Sequence, residues 1–157
     1  MKVIMDEIGF RKKSQTVRIY VGIVLAILGL VVFILGINPD LFGMDRSPVI
    51  GFLQIAVFLI GMAMICMGGY IALNTLWNGT EKTIIADIGF RLVATGYVVC
   101  TTSGMADVFG LGHHIMPSIP FFGPFQAAGF IVGEVMVALG FVLMIPLVSR
   151  RQSPREL

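Results

Sequence analysis

The sequence predicts an all-α integral membrane protein of four transmembrane helices, arranged as two duplicated hairpins of parallel orientation. Three observations carry this expectation: the composition, four long apolar runs, and a match of the chain with itself. Of 157 residues, 57% are hydrophobic and 13% are charged, and the mean hydropathy is +0.93. A water-soluble chain carries roughly 25% charged residues, so too few polar groups remain here to cover a soluble surface. A soluble enzyme, a disordered chain, a coiled coil and a nucleic-acid-binding protein are all disfavoured. The net charge of +2 is too small to imply a polyanionic partner, and the positions of the charges matter more than their sum.

An apolar run of about 20 residues crosses a hydrocarbon core of about 30 Å. A cytoplasmic segment, residues 1–18, precedes the first such run, 19–37, which contains no acidic or basic residue. Its 19 apolar residues exceed a signal-peptide core of roughly 7–15, and Asn38-Pro39-Asp40 offers no small-residue cleavage site, so the span is expected to be retained. The second span, 49–73, has Gln54 as its strongly polar side chain. The third, 84–106, contains Asp87, Arg91, Thr95, Tyr97, Thr101, Thr102 and Ser103, and so is not expected to face lipid all round. The fourth, 121–148, carries Glu134 near its middle and Pro124 and Pro146 near its ends, where a proline disrupts a helix least. A short tail, 149–157, follows the four-helix domain of residues 19–148.

Basic residues near span ends resist translocation, and they orient the bundle. Lys2, Arg11, Lys12, Lys13, Arg18, Lys82, Arg150, Arg151 and Arg155 fall on one side, Arg46 falls on the other, and Arg91 lies within a span. Both termini are therefore expected in the cytoplasm, with the protein in the cell membrane. Asn78-Gly79-Thr80 resembles a glycosylation acceptor but falls in a cytoplasmic loop, where it reads as a turn. Cys66 and Cys100 lie within spans and read as small hydrophobes.

Shifted by 72 residues, 48–71 aligns with 120–143. Pro48, Gly51, Gln54, Ala56, Phe58, Gly61, Met64 and Gly68 then meet identical residues at Pro120, Gly123, Gln126, Ala128, Phe130, Gly133, Met136 and Gly140. Asp40-Leu41-Phe42-Gly43 after the first span is echoed by Asp107-Val108-Phe109-Gly110 after the third. These matches predict two repeats, about 8–73 and 84–148, each a hairpin starting in the cytoplasm, with five extra outer-loop residues in the second. At 100° per residue, Gly51, Gln54, Gly61 and Gly68 share one face of the second span, and Gly123, Gln126, Gly133 and Gly140 share the equivalent face of the fourth. Small residues let helices approach closely in lipid, so the expectation is that the second and fourth spans pack through these stripes. Gly22, Gly29 and Gly36, spaced by seven, mark a further close-packing face on the first span.

Glu134 is the leading candidate for chemistry, because a charge at mid-bilayer depth costs roughly 2.5–3.5 kcal/mol on an insertion scale. Arg91, in the adjacent antiparallel span, is its expected partner, and Asp87 lies one turn before Arg91. A buried cluster of Asp87, Arg91 and Glu134 would serve either as a structural ion pair or as a relay for protons or ions. No catalytic residue is expected. His113 and His114, with Met105, Asp107 and Met116 nearby, are weak metal candidates, since adjacent histidines seldom converge on one ion. Phosphate loops, nucleophile elbows and zinc-protease motifs do not occur, and segments of roughly ten to 18 residues outside the spans are too short for a catalytic domain.

The leading functional expectation is a non-enzymatic protein without a cofactor that acts by helix packing. It would be an accessory subunit of a membrane complex or a homo-oligomeric scaffold, in contact with lipid and with other membrane subunits or its own copies. One alternative is a small transporter or channel using Glu134 and Arg91 along a path lined by Thr95, Thr101, Thr102 and Ser103. A weaker one is a metal or redox component using His113 and His114.

Overall fold

The computed structural model describes residues 2–39, 43, 52–77, 81–110 and 123–146, and side chains from residue 13 onward within that set. Four α-helices account for most of it: α1 is Lys2–Ile37, α2 is Phe52–Leu76, α3 is Ile84–Gly104 and α4 is Pro124–Met144. All four contain a stretch long and apolar enough to cross a membrane, and in α1 that stretch is Lys13–Ile37.

The helix ends have local causes. α1 continues through residues 2–18, which the sequence had placed outside the membrane domain, and it stops before Pro39, which bars helical backbone at Asn38. Thr83 caps α3, its Oγ1 accepting from the Ala86 N–H at 3.3 Å. α4 starts on Pro124, whose missing N–H costs nothing at a first turn, and the Gly123 N–H donates to Gln126 Oε1 at 2.8 Å. It ends at Met144 and not at residue 148, because Ile145 precedes Pro146 and is held extended at φ −66, ψ 130. Gly43 and Gly110, which close the two Asp-x-Phe-Gly sequences, have φ +65 and +72, a region that Gly enters without strain.

α1 packs antiparallel on α2, and α3 packs antiparallel on α4. Among the described residues the backbone of α1 comes close to α2 alone, whereas α2 comes close to both helices of the other hairpin. Within each hairpin the backbones meet at glycines. A Cβ on Gly29 would stand 2.8 Å from the Gly61 carbonyl oxygen, and one on Gly96 would stand 2.7 Å from that of Gly133. Gly22 approaches Gly68, Gly36 approaches Phe58, and Gly89 approaches Gly140 in the same manner.

These contacts correct the expected pairing of α2 with α4 through their stripes. Gly61 and Gly68 face α1, while Gly133 and Gly140 face α3. Gln126 caps its own helix instead of bonding across an interface, and Gly51 lies outside the described residues. Small residues occur on both members of each hairpin, so the closest approach falls between consecutive helices.

Larger side chains join the two halves. Ile55, Phe58, Leu59 and Met62 of α2 form one core with Val93 and Cys100 of α3 and with Phe130, Val137 and Met144 of α4. The Phe58 and Phe130 rings meet edge to face at 4.8 Å, a favoured geometry for an aromatic pair. At the far end of the bundle Trp77 Nε1 donates to the Met144 carbonyl at 3.0 Å. Most of the remaining bulky apolar side chains, among them Val24, Ile27, Ile60 and Val135, point outward.

Candidate functional site

Two polar features stand out, and they lie on different helices and different faces. The first is on α3. Ala86, Gly89, Val93, Gly96, Cys100 and Gly104 form its buried face, and at 100° per residue Arg91 points about 170° away from the middle of that face. Arg91 Nη2 pairs with Asp87 Oδ2 at 3.0 Å, one helical turn apart, with the two side chains 77% and 52% exposed. This pair belongs to the outer surface of α3. The expected burial of Asp87 and Arg91 with Glu134 is therefore not found, and no ion pair among the described residues involves Glu134.

The second feature is a cleft of about 260 Å³ containing Glu134. The side chain follows Gly133 by one residue and so sits about 100° round α4 from the line of contact with α3. Because that line of contact faces α3 and not α2, the same rotation carries Glu134 away from Arg91, toward α1 and α2. The cleft runs between α1, which supplies Gly36 and Ile37, and α4, which supplies Ala127, Phe130, Ile131 and Glu134. Gln54 and Phe58 of α2 floor it. Among the described residues Glu134 is its single ionisable group, and Gln54 is the other strongly polar side chain; both are half-buried.

The hydroxyls of α3 do not line one path. Thr95 and Thr102 are exposed, whereas Thr101 and Ser103 are partly buried. Thr95 and Thr101 donate to the carbonyls of Arg91 and Tyr97 at 2.8 and 2.9 Å, within their own helix. The Cys100 thiol faces the Phe130 carbonyl at 3.5 Å in the α3–α4 contact. His113, His114 and Met116 lie outside the described residues, among which no three His, Cys, Asp or Glu side chains group as metal ligands would.

The sequence held a signal for this arrangement in the third span. Gly89, Gly96 and Gly104 lie on one face, opposite Arg91, and place the charged residues outward once α4 is taken as the neighbour. Phe58, Phe130 and Ala127 carry no such signal, since a cleft between helices distant in sequence leaves no local pattern.

Comparison with family models, with curated proteins and with solved structures finds no match for the chain.

Proposed function

We propose that the chain is a small multi-pass protein of the cell membrane, with cytoplasmic termini, that works by helix packing as an accessory subunit or homo-oligomeric scaffold. The observation that carries this reading is the outer face of α3. Asp87 and Arg91 are exposed there together with Thr95, Val98 and Thr102, and among the described residues no other helix covers them. Arg91 lies about 10 Å beyond the start of α3, at 1.5 Å per residue. Charged groups within a span turn toward protein or water in preference to lipid, so a further membrane helix, from another subunit or a second copy, covers this face.

Two duplicated hairpins make up the unit in this reading. Adding 67 to positions in α1 and 72 to positions in α2 turns the contacts of the first hairpin into those of the second: Gly22 with Gly68 becomes Gly89 with Gly140, and Gly29 with Gly61 becomes Gly96 with Gly133. The two glycines of positive φ, Gly43 and Gly110, differ by the same 67. These equivalences support descent of both halves from one hairpin.

A photo-crosslinking amino acid at Val98, followed by mild solubilisation and mass spectrometry, tests the reading. A crosslink to a discrete partner or to a second copy is expected at Val98 and not at Val24 on α1. A monomer that crosslinks only to lipid would overturn it.

A further inference from the structure

We infer that the cleft between α1 and α4 binds a monovalent hydrophobic organic cation, a protonated amine or quaternary ammonium with apolar substituents, through the Glu134 carboxylate. The argument is one of charge and surface. Among the described residues the lining supplies one carboxylate and no Lys, Arg or His, and no described basic group pairs with Glu134. An ionised group within a span is costly unless something compensates it, and the partner it lacks is a single positive charge.

The walls choose what kind of cation. Apart from Glu134 and Gln54 the described lining is apolar, and it includes Phe58 and Phe130. Aromatic walls attract organic ammonium groups, whereas hard metal ions need six or more oxygen ligands, which this cleft does not offer. A volume of about 260 Å³ lies just below the roughly 300–1,000 Å³ of drug-sized sites, so the occupant is small. Ile37 and Ile131, 51% and 57% exposed, stand at the rim, so a ligand enters from among the acyl chains. No described Cα of α1 lies within 8 Å of one in α4, so the two backbones stand apart on either side of the cleft. This site is separate from the outer face of α3, so its test and the crosslinking test stand or fall independently.

The test is equilibrium binding of benzyltrimethylammonium to the full chain in nanodiscs, with neopentylbenzene as an uncharged molecule of the same shape. The intact protein should bind the cation saturably, and equimolar neopentylbenzene should not displace it. Glu134→Gln should weaken binding about tenfold or more. Ala127→Leu, which keeps the carboxylate but fills the cleft, should weaken it as well, and both variants should elute and melt as folded protein. Should Glu134→Gln fail to fold, Ala127→Leu and the displacement on unaltered protein still decide the question. Absence of saturable binding, unchanged affinity in folded Glu134→Gln, or full displacement by the neutral molecule would overturn the inference.

Discussion

Glu134 and Arg91 share a neighbourhood in the sequence-based arrangement and occupy different surfaces in the folded one. Arg91 is joined to Asp87 on the exterior of α3, and Glu134 looks into a cleft to which α3 contributes nothing. Residues without a shared partner add independently, within about 0.3–0.5 kcal/mol. A double-mutant cycle on Glu134→Leu and Arg91→Leu, read from unfolding in detergent, should therefore give a coupling energy inside that range. Glu134→Leu should not lower stability on its own, since it removes a carboxylate that no described cation of the protein compensates. A coupling well above 1 kcal/mol, of the order seen for residues in contact, would put the two side chains together after all.

At the scale of the helices, small residues decide which faces meet. The seven-residue spacing of Gly22, Gly29 and Gly36 was readable in the first span, and the structure places all three against α2. Gly89 and Gly96 carry the same spacing in the third span, on the face opposite the charged Arg91. The consequence for stability separates two positions of one helix. A Cβ at Gly96 would lie 2.7 Å from the Gly133 carbonyl, whereas one at Gly104 would lie 3.5 Å from the methyl groups of Ile55 and Leu59. Gly96→Ala should thus cost about 1–3 kcal/mol by forcing α3 and α4 apart. Gly104→Ala should be neutral or slightly stabilising, because Ala forms helix more readily than Gly and has room there. Thermal unfolding of both variants in micelles checks this, and equal losses at both positions would remove the close-approach explanation of the α3–α4 pair.

For the whole molecule, two tightly packed hairpins meet through α2 and leave α1 attached on one side only. The core between the halves is built from side chains such as Ile55, Phe58 and Phe130, with Trp77 bonded to Met144 at one end. Proposed membrane topology follows from the distribution of Lys and Arg, nine of eleven falling on one side. Reporter fusions after Arg151 and within residues 74–82 should both report the cytoplasm. An outside signal at both would reverse the orientation, and an outside signal at one alone would remove the parallel relation of the proposed repeats.

Sequence alone was sufficient for four helices long and apolar enough to cross a membrane, and for their grouping into consecutive hairpins. Hydropathy and run length are local properties, and the match of 48–71 with 120–143 divides the chain between the second and third spans, at its shortest link, 77–83. The outward turn of α3 could have been read from Gly89, Val93, Gly96 and Cys100, since the phase of small residues is also local. What only the tertiary structure decided is which helix each glycine face meets, and hence where Glu134 looks. A glycine stripe accepts any backbone that comes close, so it names a face without naming its partner. The cleft beside Glu134 is made by α1, α2 and α4 together, and its contents depend on one rotation of α4 that no single span encodes.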